Sequence, residues 1–105
     1  MRIRVSSPGN RLTDRDKDAI EQDLAKIERR LNDFKEEVTV EVRIEGNRST
    51  PTHKVTLELR YGRNHLIAKA DQADVGQAIR EAREEILRQI NDRSRRGHSS
   101  FTKGR

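Results

Sequence analysis

The sequence contains no cysteine. Disulfide frameworks, thiol nucleophiles and cysteine zinc sites are excluded together. Aromatic residues are nearly as scarce: Phe34, Tyr61 and Phe101 are the whole set. No glycine pattern of the phosphate-loop or dinucleotide type occurs. Hydrophobic residues make up only 30% of the chain, and no run approaches the roughly 18 residues that a membrane span requires. The first residues, Met1-Arg2-Ile3-Arg4-Val5, enter a strand pattern at once and show no signal-peptide core. A cytoplasmic location is the expectation.

Charge is what the sequence has in quantity. Charged residues are 39% of the 105, the formal net charge is +5 and the pI is about 10.1. That balance suits a polyanionic partner, although a soluble charged surface would look similar. A chain of this length makes one domain, and its lean core must come from strictly patterned elements.

The patterning is clear. Ile3 and Val5 alternate with polar residues, which predicts a short strand over residues 2–6. Thr13 is a good helix N-cap with Asp16 three residues on, and Ile20, Leu24, Ile27, Leu31 and Phe34 then form one helical stripe. From Glu37 the period becomes two, with Val38, Val40, Val42 and Ile44 on one face. Val55, Leu57, Leu59 and Tyr61 predict a further strand. Gly62-Arg63 suits a type II′ hairpin turn, and Leu66, Ala68 and Ala70 complete the hairpin. Asp74 is a candidate N-cap for a second helix with the stripe Val75, Ile79, Ala82, Ile86 and Ile90. That helix is expected to end near Asp92, because Arg93 would fall on its apolar stripe. The expected fold is α+β, a two-layer β-α-β-β-β-α sandwich with two helices on one face of a four-stranded sheet. Residues 1–93 form the expected domain. Residues 94–105 are basic and aperiodic, and a disordered tail is expected there.

Little in this pattern offers catalysis. His53, His65 and His98 have no second histidine at helical spacing. Asp71 and Asp74 are most simply a turn former and an N-cap. Gly76, in the first turn of the second helix, permits close packing or a close backbone approach, or is simply tolerated at a fraying end. Phe34 and Tyr61 fall on buried stripes, which leaves no stacking platform for bases on the sheet. No enzyme, metal or cofactor is expected, and no small-molecule substrate.

The helices partly separate their charges. On the second, Arg80 and Arg83 share one flank and Arg88 lies at the outer pole, with Glu81, Glu85 and Asp92 opposite. On the first, Lys26, Arg29 and Arg30 run from flank to pole with Asp33 among them. The functional expectation is that the two basic flanks converge on a groove for a phosphate backbone. A solvated face with local ion pairs would show a similar pattern. Arg95 and Arg96 in the tail add to the basic set.

Three segments carry a family resemblance over residues 2–93. They are Leu12-Thr13 with Leu24-Ala25-Lys26-Ile27-Glu28, then Leu66-Ile67-Ala68-Lys69-Ala70, then Asp74-Val75-Gly76-Gln77-Ala78-Ile79 with Ile86-Leu87-Arg88-Gln89-Ile90. In this order the chain resembles the short ribosome hibernation-promoting factors and ribosome-associated inhibitors, also called sigma-54 modulation proteins. The resemblance implies a fold similar to double-stranded RNA-binding domains. It also implies partners, the small ribosomal subunit and its RNA. Such a protein would occupy the decoding region, blocking mRNA and tRNA under stress. Lys26, Arg88 and Gln89 match the family pattern directly. Arg29, Arg30, Arg80 and Arg83 come from the charge pattern. Val75-Gly76 replaces the usual Met-Tyr, Glu85 and Asp92 stand where lysine is common, and Arg80 stands where aspartate is common. The sequence shows neither the second domain of long members nor the acidic tail of some inhibitors. The alternative expectation is a module for structured RNA away from the ribosome; a protein-interaction domain comes third.

Overall fold

The sheet is built in chain order. In a computed structural model, β1 (Arg2–Ser6), β2 (Val38–Glu45), β3 (His53–Tyr61) and β4 (Asn64–Gln72) lie side by side as β1-β2-β3-β4. The structure describes residues 1–8, 12–31, 38–46 and 49–103, with side chains to residue 94. Strand β1 runs parallel to β2, with Ile3 beside Val40 and Val5 beside Val42. Parallel neighbours need a crossover, and helix α1 (Asp14–Arg30) supplies it. The other pairs are antiparallel. Val42 faces Leu57 across β2 and β3, and Leu57 faces Ala68 across β3 and β4. Each register keeps the apolar set on one face, as the period of two requires.

Local chemistry sets the element ends. At α1, Asp16 N donates to Thr13 Oγ1 at 3.1 Å, and Thr13 N donates back to Asp16 Oδ2 at 3.1 Å. This reciprocal capping box satisfies two of the orphan N–H groups at the helix start. Helix α2 (Val75–Lys103) is capped by Asp74, whose Oδ2 accepts from Gln77 N at 3.2 Å. The β3–β4 hairpin turns at Gly62, φ +57°, while Arg63 keeps a negative φ. That combination is the expected II′ turn. Asp71 stands inside β4 rather than in a turn.

Both helices pack on the apolar face of the sheet. Ile20, Leu24, Ile27 and Leu31 of the first stripe are buried, as are Ile79, Ala82, Ile86 and Ile90 of the second. Phe34, the next expected stripe residue, lies outside the described residues. Each fully buried leucine or isoleucine contributes roughly 1.5–3 kcal/mol, so a lean composition suffices when nearly every apolar residue is placed. The helices run in the same direction, since Asp23 meets Arg83 and Arg30 meets Asn91.

One boundary differs from expectation. Helix α2 does not stop near Asp92 but continues to Lys103. Arg93 does lie on the side of the apolar stripe, yet it is exposed there and donates from Nη1 to Asn64 Oδ1 at 3.2 Å. At this point the helix passes the hairpin end of the sheet, so a cation on the stripe displaces no core. No proline follows to stop the helix, and Gly97 alone costs about 1 kcal/mol.

Candidate nucleic-acid interface

The seam between α1 and α2 gathers the expected arginines, but it also gathers their counter-charges. Arg83 is buried, 8% exposed, rather than presented on an outer flank. Its position borders the apolar stripe, on the side that α1 covers. Its Nη1 donates to Asp23 Oδ1 at 3.4 Å and to the Asp23 carbonyl at 3.3 Å, and its Nε donates to Glu84 Oε2 at 3.0 Å. Arg80 lies 4.0 Å from Asp23 and 3.9 Å from Asp74. The two basic side chains of α2 turn toward α1, but they meet Asp23 there and not the basic flank of that helix. Asp23 neutralises them there.

The outer pole of α2 is occupied in the same way. Arg88 donates from Nε to Glu85 Oε1 at 2.9 Å and from Nη1 to Asp92 Oδ2 at 2.7 Å. These are the two positions where lysine was expected from the resemblance. Gln89 donates from Nε2 to Glu85 Oε2 at 3.0 Å and to the Ile67 carbonyl at 3.0 Å, which ties the helix to the β4 edge. Hydrogen bonds from Arg88 first, and from Gln89 second, pull the Glu85 carboxyl down to about 2. Gly76 is not tightly packed, because an added Cβ would meet only the tip of Arg80 at 3.3 Å and Asp74 Oδ2 at 3.5 Å.

The cations of α1 are different. Lys26 and Arg29 are exposed and have no ion pair among the described residues. Arg29 and Arg30 fall in the last turn of α1, where the helix dipole favours positive charge. Arg30 donates from Nε to Asn91 Oδ1 at 2.9 Å, a neutral partner. Arg30 and Arg93 both line a recess of about 210 Å³ that also includes Tyr61 and Asn64. Burial raises the Tyr61 phenol pKa, and the charges of Arg93 and Arg30 oppose that rise. The side chains of Arg95 and Arg96, one turn further along α2, lie outside the described residues.

Arg93 and Asn64 were not among the expected contacts. The signal was present in the sequence as a cation on an apolar stripe, a position that only a special environment accepts.

Two other surfaces are poorer candidates. On the open sheet face, Glu58 takes His65 Nε2 at 2.9 Å and Arg60 at 3.6 Å, Arg4 lies 3.9 Å from Glu41, and Arg43 lies 3.7 Å from Glu45. A larger recess of about 420 Å³ opens where both helices begin. Asp16, Asp23 and Asp74 line it together with Arg80 and His53, which is the wrong balance of charge for a phosphate. His53 Nδ1 is buried there without a hydrogen-bond partner. No cluster of metal-ligating side chains occurs among the described residues, and none of the described helices is long and apolar enough to cross a membrane.

A mixed four-stranded sheet backed by two parallel helices, with Arg30 and Arg93 held by neutral amides at one end, defines a small two-layer α+β domain. Comparison with known proteins makes the class specific. The chain belongs to the sigma 54 modulation protein / S30EA ribosomal protein family, whose model matches residues 3–98. The fold is similar to that of the Thermus thermophilus Protein Y N-terminal domain, with a TM-score of 0.72 at 19% identity over 86% of this chain and 96% of that one. It is equally similar to a ribosomal subunit interface protein from Coxiella burnetii, with a TM-score of 0.72 at 14% identity over 90% and 98% of the two chains. No curated protein sequence matches the chain significantly.

Proposed function

We propose that this protein is a ribosome-binding translation inhibitor that acts by occupancy. It binds the small ribosomal subunit in its decoding region and excludes mRNA and tRNA during hibernation or stress. The observation that carries this reading is the extent of the family match, which spans both helices and the whole sheet.

The mechanism requires no reaction. Exposed cations displace counterions from the RNA backbone, and the released ions drive association. Lys26, Arg29 and Arg30 are placed for this on α1. Arg80, Arg83 and Arg88 are committed to carboxylates and contribute less. The site of action is the cytoplasm, where ribosomes work.

The test is binding of purified protein to small subunits at low and high salt, followed by competition with mRNA and tRNA. Binding should weaken steeply with salt, with a slope of about −0.7 to −0.9 for each phosphate contacted. Bound protein should displace both ligands. Salt-sensitive binding without displacement would defeat the decoding-region placement and favour a general structured-RNA module.

A further inference from the structure

The recess at the hairpin end differs from the larger one where the helices begin. Two arginines line it, Arg30 from α1 and Arg93 from α2, with Tyr61 at its base and Asn64 beside it. Tyr61 is buried at 3% exposure and supplies a rigid wall. Each guanidinium is held by a neutral amide oxygen, Arg30 by Asn91 at 2.9 Å and Arg93 by Asn64 at 3.2 Å. Neither arginine meets a carboxylate among the described residues, whereas Arg80, Arg83 and Arg88 all do.

The distinction between amide and carboxylate partners matters. A carboxylate fixes an arginine and cancels its charge. An amide oxygen fixes it, uses one N–H, and leaves the charge and the remaining donors for another acceptor. Two such arginines around one small recess are a pre-oriented pair of planar forks, the geometry suited to a tetrahedral oxyanion.

From this geometry we infer that Arg30, Arg93 and Asn64 form a binding site for a phosphate of an RNA backbone. The assignment to RNA rests on the ribosome-binding reading above. Lys26 and Arg29 lie within a turn of Arg30 and extend the same surface, so a strand anchored in the recess would continue along the outer face of α1. Arg63 is exposed in the β3–β4 turn, next in sequence to Asn64. The site thus joins three elements that are distant in sequence, the last turn of α1, the β3–β4 hairpin and the middle of α2.

The experiment has two arms. In the first, the full chain is titrated with inorganic phosphate at constant ionic strength, and NMR follows the Arg30 and Arg93 Nε–H and the Asn64 side-chain amide. The expected result is a saturable shift of these signals, with the Asn64 amide response lost in the Arg30→Gln/Arg93→Gln double variant and all three responses retained in Arg80→Gln. A linear response, or the same response in the double variant, would overturn the pocket. Both arginines are exposed, so circular dichroism of the variants should match the parent. In the second arm, Arg93→Gln is compared with the parent for small-subunit binding across a salt series. The magnitude of the slope should fall by about 0.7 to 0.9. An unchanged slope with the phosphate response intact would identify a free-anion site and overturn the RNA assignment. If the parent chain fails to bind small subunits at all, the ribosomal reading falls and takes the RNA source with it, while the phosphate arm still decides whether the recess binds the anion.

Discussion

The arginines packed against a neighbouring element at the two ends of the helix pair are in opposite condition. Where the helices begin, Arg80 and Arg83 sit among Asp23, Asp74 and Glu84. At the hairpin end, Arg30 and Arg93 sit against Asn91 and Asn64. The first arrangement consumes positive charge to close a seam between two helices. The second holds positive charge in place and leaves it available. A count of basic residues, or their placement on a helical wheel, treats the two ends alike. The partner of each cation is what separates a structural arginine from a binding one, and that partner is set by packing.

The largest test of this contrast is at the seam. Arg83→Glu would place a carboxylate against Asp23 in a buried position. Breaking a buried pair costs about 3 kcal/mol or more, so the urea midpoint should drop sharply. Any loss of ribosome association in that variant would then report unfolding and not a lost contact. A variant with unchanged stability would show that the seam is solvated, and the contrast between the ends would fail. Next in size is the hairpin-end pair. Arg30→Gln and Arg93→Gln should each weaken small-subunit binding roughly tenfold, as expected for loss of a charge-assisted hydrogen bond, with little change in the urea midpoint.

These outcomes also mark what the sequence could and could not reveal. The strands, both helix starts and the hairpin were legible because each rests on local chemistry: the period of two, the Thr13–Asp16 box, Asp74 as a cap, and glycine at the turn. The family was legible from three short segments in the right order. The burial of Arg83 was not, because a helical wheel shows where its own stripe lies but not which side a neighbouring helix covers. The continuation of α2 past Asp92 is hidden from the sequence for a related reason. Whether a stripe residue must be apolar depends on whether sheet still lies beneath it, and Asn64, its partner there, is distant in sequence. The clamp on Arg88 was within reach, since Glu85 and Asp92 stand three and four residues away, the spacing at which helical ion pairs form.

That clamp gives a smaller prediction. Arg88→Gln should change small-subunit affinity by less than about twofold, because an exposed, already paired cation has little to lose. Its effect should appear at Glu85, whose carboxyl should titrate well above the present value of about 2, toward the ordinary 4.5. The sign follows from the depressed value. The stabilisation from the clamp is fully present above about 4.5 and is lost as the pH falls toward 2. A carbon-detected NMR titration of the Glu85 carboxyl would follow both midpoints. A tenfold loss of affinity in Arg88→Gln would instead place the outer pole of α2 on the RNA.

The smallest effect is expected at the acidic end itself, from Asp74→Asn. Asparagine caps a helix as well as aspartate does and keeps an oxygen for the Gln77 N–H, so stability should change by less than about 0.5 kcal/mol. The substitution removes one of the two carboxylates near Arg80 and leaves Asp23 as its remaining partner. If this end only faces the RNA from a distance, the gain is a weaker long-range repulsion. Small-subunit binding should then tighten by less than about 1.5-fold at low salt. The gain should vanish near 1 M salt, where the screening length falls to about 3 Å. A tightening of tenfold or more that survives high salt would mean that Arg80, once released, touches a phosphate directly. The two ends would then differ in how many of their arginines the present sequence leaves available, and not in which of them meets the RNA.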